Sequence, residues 1–404
     1  VDMYAKCCML EKALKVNDEL PHRSVISWCS LISGFGQQGQ CHEALKCLEQ
    51  MGNEGIHPNV VTFTCILQAC GKTRTIDEGK RIHKEIVRQN LLEKDVLLGN
   101  SLVDMYVKCG VLAEAQQVLE ALPIRNVVSW NALISGYTQH YRGHEALNCF
   151  EQMQGEGLSP NAITFLCIVK ACGSIGALDK GKAIQEEVVN RGLLEKDIVI
   201  GTALVDMYAK CGDLTKAQEF LEQLPIRNVV SWSALISGYA QQSQGHVALE
   251  CFEQMQREGL SPNDVTFLCV LTACSHCGLL VNAETLFTNM TKIYGIIPNS
   301  EHHTCMVMAL GSVGQFDKVM SVIKMMPSSD YSSVWLAVLG ACSKWGNVKL
   351  GRLAFDQAIQ LGGGCALAYV LMSNIFGGAG MQEDAEKVES MRLKYTSLEG
   401  MNQY

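Results

Sequence analysis

The sequence predicts an all-α fold: an α-α superhelix, or solenoid, of about twelve stacked helical hairpins. Three observations predict it. Long segments return at a fixed step of 102 residues. The eight prolines fall at regular places inside that step. Each interval between them reads as two short helices with helix-ending signals between, and alternating β-branched runs are lacking.

The step is visible in copied text. Val127 to Tyr137 reads VVSWNALISGY and Val229 to Tyr239 reads VVSWSALISGY, so the two differ only at Asn131 against Ser233. Trp28, Trp130 and Trp232 are 102 residues apart, as are Cys70, Cys172 and Cys274. DMYAKC at 2–7 returns as DMYVKC at 104–109 and DMYAKC at 206–211. A fixed period of this kind marks a repeat array.

The prolines divide the step. Pro21, Pro123, Pro225 and Pro327 form one series, Pro58, Pro160 and Pro262 a second, and Pro298 stands alone. Proline breaks helices and favours turns, so each marks the end of a unit. In order, 1–24 is a partial unit, and it is followed by 25–59, 60–95 and 96–126; then 127–161, 162–197 and 198–228; then 229–263, 264–299 and 300–330. Two further hairpins are expected over 331–398, with 399–404 as a tail. Val1 aligns with Val205, the eighth residue of its copy, so the chain is read as starting inside a unit. That start suggests a fragment or an N-terminal truncation, with which a targeting peptide would be lost.

Within 198–228, Asp213 is placed to cap a second helix, LTKAQEFLEQL, after Cys211-Gly212. Within 127–161, Gly157 and Pro160 close the second helix in the order a helix end favours. Units this short cannot bury their apolar faces alone and must stack on their neighbours. Hydrophobic residues make up 48% and charged residues 18%, enough for a continuous core. No run of 18 apolar residues exists, so no membrane association is expected, and no signal or transit segment is visible.

Chemistry is sparse. Nineteen cysteines invite a metal or disulfide reading. Most recur with the period, at 47/149/251, 65/167/269, 70/172/274 and 7/109/211, as small reduced packing residues do. Cys274-Ser-His-Cys277 has the spacing of a zinc or redox pair, but Cys277 replaces Ile175 of the preceding copy. His83-Lys-Glu85 has the HxE of a zinc deaminase, yet its copy reads Gln185-Glu-Glu187 and no PCxxC follows, so surface helix residues are expected. His302-His303 lacks a third ligand nearby and is read as part of a polar helix face. GxxxxGK[ST], HExxH and GxSxG do not occur. No catalytic residue, metal or cofactor is expected, and an intrinsic enzyme is the least favoured reading.

A helical wheel at 100° per residue separates two stripes on the first helix of 198–228. Ala203, Met207, Cys211, Leu204 and Tyr208 form the core stripe. Val199, Thr202, Asp206 and Lys210 form a narrow second stripe on the inner surface. The fifth residue of the units varies among Cys29, Asn100, Asn131, Thr202 and Ser233 while its neighbours hardly change. Variation at one position of a fixed frame suits a modular reader; a solvated position that tolerates any small polar residue is the plain alternative.

These residues resemble the pentatricopeptide repeat family, in its plant organellar PLS class. VVSWNALISGY with the following EAL, CFEQM and EGLSPN resembles the P motif. AITFLCIVKACGSIGALDKGK resembles the L motif, and IVIGTALVDMYAKCGDLTKAQEFLEQLPIRN the S motif. The resemblance runs over 1–330. VWLAVLGACSKWGNVKLG and AYVLMSNIFGGAGMQEDAEKV, within 331–398, resemble the paired E motifs. The sequence departs from the longest family members in having no E+ or DYW segment after KVESMRLKY. The last S motif is altered, with Met308 where an acid is usual and Ser312 where a basic residue is usual.

The resemblance implies binding of single-stranded RNA, one base per P or S repeat, read by the fifth and last residues. Asp only accepts hydrogen bonds and suits G and U; Asn donates and suits A and C. A short fifth residue leaves room for a purine, and Asn fits a pyrimidine. The pairs are Cys29/Asn59 (unreadable), Asn100/Asn126 and Asn131/Asn161 (pyrimidine), Thr202/Asn228 and Ser233/Asn263 (A), and Thr304/Asp330 (G). With one nucleotide per L motif the pattern is 5′-n-n-Y-Y-n-A-A-n-G, and an edited C would lie four nucleotides past the G. Ile26, Leu97, Val128, Val199 and Val230 would stack on base faces, and Lys108 and Lys210 would meet phosphates.

The resemblance favours a site-recognition factor for C-to-U editing of organellar transcripts. A deaminase domain would come from a partner engaged through the E motifs, or from a lost C-terminus. Alternatives are a factor that stabilises or helps splice an organellar RNA, and a tetratricopeptide-like protein-interaction scaffold. The expected location is a mitochondrion or a chloroplast. A net charge of −8 and a pI near 5.7 exclude loose electrostatic binding, so contacts to RNA must lie in a local groove.

Overall fold

The computed structural model describes residues 1–93, 95–194, 197–326, 332–361 and 366–401. Among the described residues there are 24 helices and no strand. The chain divides into two compact units, Val1–Met207 and Tyr208–Tyr404.

The first unit holds α1 (Asp2–Lys6), α2 (Leu10–Glu19), α3 (Val25–Gln37), α4 (Cys41–Asn53), α5 (Val60–Thr73) and α6 (Ile76–Arg88). It continues through α7 (Val96–Lys108), α8 (Leu112–Ala121), α9 (Val127–Gln139), α10 (Gly143–Gly155), α11 (Ala162–Ile175) and α12 (Leu178–Asn190), and into α13 (Ile198–Lys210). The second unit takes the last residues of α13, then α14 (Leu214–Gln223), α15 (Val229–Gln241), α16 (Gly245–Arg257), α17 (Asp264–Cys277), α18 (Leu280–Lys292) and α19 (Ser300–Ser312). It ends with α20 (Phe316–Lys324), α21 (Ser332–Trp345), α22 (Val348–Gln360), α23 (Ala366–Gly378) and α24 (Gln382–Met401).

In each unit the helices form hairpins, and the first helices of successive hairpins stack. α3 packs on α5, α5 on α7, α7 on α9 and α9 on α11; α15 packs on α17, α17 on α19, α19 on α21 and α21 on α23. A helix with neighbours on both sides and its hairpin partner behind must be apolar almost all round. α9 shows this, with Ser129, Trp130, Asn131, Leu133, Ile134, Gly136 and Tyr137 all buried. α10 packs on α9 and on α11 of the next hairpin, leaves its outer side open, and buries one face through Ala146, Leu147, Cys149, Phe150 and Met153.

Close approach of the helices needs small residues. A Cβ on Gly136 would lie 2.6 Å from Val107 Cγ1 and 3.1 Å from Leu112 Cδ2. Gly238 repeats the arrangement against Leu214 and Ala209. Trp130 anchors its hairpin by donating from Nε1 to Glu156 at 2.9 Å, and Arg125 pairs with the same carboxylate at 2.7 Å. Trp232, Glu258 and Arg227 repeat this in the second unit. Asp213 accepts from the Lys216 N–H at 3.2 Å and caps α14 as the sequence predicts.

The recurrent cysteines at 47/149/251 and 70/172/274 are buried packing residues, whereas Cys7 of the 7/109/211 series is exposed. Burial pushes the Cys47, Cys149 and Cys251 thiols up to about 12, away from thiolate chemistry. Cys277 accepts from the Gly245 N–H and donates to the Ser243 carbonyl, both at 3.1 Å. Among the described residues no group of three or more His, Cys, Asp or Glu side chains is placed to hold a metal. Among them, too, no helix is long and apolar enough to cross a membrane.

Two expectations are corrected. His302 and His303 do not belong to a polar face: both are buried. His302 Nδ1 meets Asn299 Oδ1 at 2.6 Å and its Nε2 meets the Asp264 carbonyl at 2.9 Å, while His303 sets its ring edge against Phe287. His83 is no free surface residue. It is half-buried, and its Nδ1 hydrogen-bonds Tyr106 Oη at 2.9 Å. The alternative of a solvated fifth residue also fails, because Cys29, Asn100, Asn131, Thr202 and Ser233 are all buried.

Candidate nucleic-acid interface

The last residue of five P- or S-type units is the N-cap of the next helix. Asn59, Asn126, Asn161, Asn228 and Asn263 precede α5, α9, α11, α15 and α17, with the extended backbone an N-cap adopts. In each, the side-chain oxygen accepts the backbone N–H of the third helical residue: Thr62, Ser129, Thr164, Ser231 and Thr266. That third residue returns a bond to the Asn backbone N–H, which completes a capping box. The cap fixes the amide orientation, with oxygen inward and NH2 outward. The NH2 groups of Asn59, Asn126, Asn161 and Asn263 have no protein partner among the described residues.

The fifth residue joins this cap where an L-type unit follows. Asn131 donates from Nδ2 to Asn161 Oδ1 at 3.0 Å, and Thr164 Oγ1 donates to Asn131 Oδ1 at 2.7 Å. Ser233 reaches Thr266 Oγ1 at 2.8 Å, and Thr266 reaches Asn263 Oδ1 at 2.9 Å. Cys29 Sγ lies 3.2 Å from Thr62 Oγ1, which bonds Asn59 Oδ1 at 3.0 Å. The structure thus brings three of the sequence-predicted pairs into one hydrogen-bonded cluster each.

Asn100 differs. Its Nδ2 and Oδ1 are buried and neither has a hydrogen-bond partner. A buried unpaired amide costs about 1–3 kcal/mol, so Asn100 is short of partners that only a ligand or water can supply. Thr202 is buried in the first unit, and Asn228 caps α15 in the second. Thr304 is half-buried and donates to the Ser300 carbonyl at 2.8 Å. Its partner Asp330 lies outside the described residues.

Beside these clusters runs a row of exposed aliphatic side chains. Ile26, Leu97, Val128, Val199 and Val230 occupy the second position of their units and all are exposed. Sequence reasoning missed that the row includes the L-type units: Val61, Ile163 and Val265 are 55%, 58% and 52% exposed, against 60% for Val128. It also missed the third residue, Thr62, Thr164 or Thr266, which links the fifth residue to the cap. The signal for both was present, since an aliphatic second residue and Asn-x-x-Ser/Thr recur along the chain. Apolar side chains held in water beside fixed donors suit flat, edge-polar ligands.

Lys108 is exposed at the end of α7 and its Nζ pairs with Asp104 at 2.6 Å. Lys210 is exposed at the end of α13.

Known proteins share the repeat architecture. The PPR repeat family model matches residues 23–72, 125–174 and 227–276, and the PPR repeat model matches 61–91, 202–229, 265–293 and 301–331. A mitochondrial pentatricopeptide repeat-containing protein of Arabidopsis thaliana is 36% identical over 95% of this chain and 68% of its own length. A second Arabidopsis relative is 35% identical over 99% of the chain and 55% of its own length. A chloroplastic one is 36% identical over 98% and 48%. The chain therefore spans between about half and two thirds of the length of these relatives. Among solved structures, PPR10 from maize is similar with a TM-score of 0.59 and 19% identity, over 96% of this chain and 62% of its own. PPR10 in complex with an 18-nt psaJ RNA element gives 0.66 and 18%, with the same coverage.

Proposed function

Because the chain belongs to the pentatricopeptide repeat family, we propose that it is a sequence-specific binder of single-stranded RNA that selects sites on organellar transcripts. The observation that carries this reading is the pairing of two rows: exposed aliphatic second residues beside capped asparagines whose NH2 donors point away from the protein. An aliphatic side chain covers a base face and leaves the edge open. A donor of fixed direction then reads the acceptor on that edge, at N3 of cytosine or N1 of adenine. The fifth residue sets the room available: Asn131 fills space that Ser233 leaves to a larger base.

On this reading the bound pattern is 5′-n-n-Y-Y-n-A-A-n-G, where the G rests on Thr304 and Asp330. The matched PPR10 structure holds an RNA element, and the relatives include mitochondrial and chloroplastic proteins. These support RNA as the ligand and an organelle as the place. We assign the role of choosing a C-to-U editing site, because 331–398 resembles the E motifs. The deaminase domain then comes from a partner or from sequence beyond this chain. The net charge of −8 requires that affinity come from base contacts more than from phosphates.

Selection of bound RNAs from a random pool tests the reading. Enrichment of the stated pattern supports it. A pool that stays random refutes RNA recognition and turns the exposed rows toward protein partners. Loss of the protein should then lower the edited fraction at a matching site; altered transcript ends or retained introns with unchanged editing would instead show stabilisation or splicing.

A further inference from the structure

We infer that the L-type unit 60–95 also reads a base, a guanine, through Thr64 and Asp95. The inference rests on the RNA-reading function proposed above and extends it to a unit that the repeat class leaves silent. Three observations carry it. Val61, at the second position of α5, is as exposed as Val128, so the row of aliphatic side chains does not skip this unit. Thr64 takes the fifth position, where the other two copies hold Leu166 and Leu268. It is half-buried, and its hydroxyl has no hydrogen-bond partner among the described residues.

The last residue of this unit completes the pair. Asp95 caps α7 with one oxygen: its Oδ1 accepts from the Leu97 and Leu98 N–H groups at 2.7 and 3.1 Å. Oδ2 has no bonded partner among the described residues, and the side chain is half-buried. α5 packs on α7, so both residues belong to the same inter-helix step that carries Asn131 and Asn161 elsewhere. A carboxylate only accepts, and guanine and uracil are the bases that present a ring N–H on the pairing edge. A short threonine leaves room for the purine. The pattern becomes 5′-n-G-Y-Y-n-A-A-n-G.

The test uses the full chain and four RNAs of this pattern that differ only at the second nucleotide. The expected result is tightest binding of G, by about tenfold over A, the low end of what a good base contact gives. Asp95→Asn keeps the cap, as Asn161 does, and should move the preference from G toward A. Thr64→Leu, the residue of the other copies, should remove the preference. Thermal unfolding of both variants at the parent temperature shows that the fold is kept. Equal binding of all four RNAs, with discrimination intact at the Y-Y and A-A positions, overturns this inference alone. Loss of discrimination everywhere overturns the base-reading function itself, and this inference with it.

Discussion

Replacing Ser233 by Asn makes the hairpin of α15 and α16 match that of α9 and α10 at its fifth residue, and it isolates one side chain as the proposed determinant of base choice. The structure already shows how Asn sits there. In the earlier copy Asn131 donates to Asn161 at 3.0 Å and accepts from Thr164 at 2.7 Å. Asn263 and Thr266 stand in the same places beside Ser233. The new amide therefore trades one hydroxyl contact for two amide contacts, and stability should stay within about 1 kcal/mol of the parent. The extra atoms fill the space left for a purine, so preference at the seventh nucleotide should move from A toward pyrimidine. Good base contacts discriminate by about 1–3 kcal/mol, and the low end is expected here, roughly tenfold. Fluorescence anisotropy with RNAs that carry A or C at that nucleotide measures the ratio directly. Binding at the sixth nucleotide, assigned by the proposed scheme to Thr202 and Asn228, should not change. An A:C ratio unaltered by Ser233→Asn would mean that the fifth residue carries no sequence information, and the pairing scheme would fall.

Lys108→Ala together with Lys210→Ala should weaken all RNAs about evenly and reduce the slope of log K against log salt by about 1.4, or 0.7 per lost phosphate contact on a single strand; an unchanged slope would place both lysines outside the RNA path. Gly136→Val should lower the unfolding temperature, because its Cβ must enter space 2.6 Å from Val107 Cγ1, at a cost of about 1–3 kcal/mol; an unchanged melting curve would show that α7 and α9 are not held at this distance. Burial holds His302 below its ordinary 6.5, so the folded chain resists a proton that the unfolded chain takes up. Its contribution is therefore lost as pH falls below about 6.5, and the loss stops below the folded value. His302→Leu should make stability less dependent on pH between 7 and 5, and a parallel pH profile would refute the assignment.

The repeat register was legible because packing between like units punishes every departure from it. Trp130 and Trp232 recur with their glutamates since each hairpin must close over the same gap. The all-α architecture follows from that regularity. What a single-helix wheel misses is the neighbour. It puts Thr202 on an open stripe, yet Thr202 is buried while Val199 and Lys210 are exposed. His302 was misread for a different reason. It stands where the copies have Ile200 and Leu98, both buried, so the period itself marked it as internal. Judging it as a pair with His303, by chemistry alone, discarded that information. Asp330 lies outside the described residues, so the final pair remains a reading of the sequence.

On the proposed reading, the two functions of the last residue explain how such an array changes specificity without losing its fold. An N-cap is worth about 1 kcal/mol, and Asn and Asp fill the role almost equally. Asn161 and Asp95 both do so here, each through one oxygen. Exchanging one for the other turns the outward group from a donor into an acceptor while the helix keeps its cap. The fifth residue is buried more deeply, and before an L-type unit its replacements meet the third residue's hydroxyl. Asn131 and Ser233 do so with Thr164 and Thr266, and Cys29 does so with Thr62. The residues free to vary are therefore those whose structural duty is met by more than one side chain. That is why the single difference between the two copied segments falls at Asn131 and Ser233, and not at Trp130, Leu133 or Gly136.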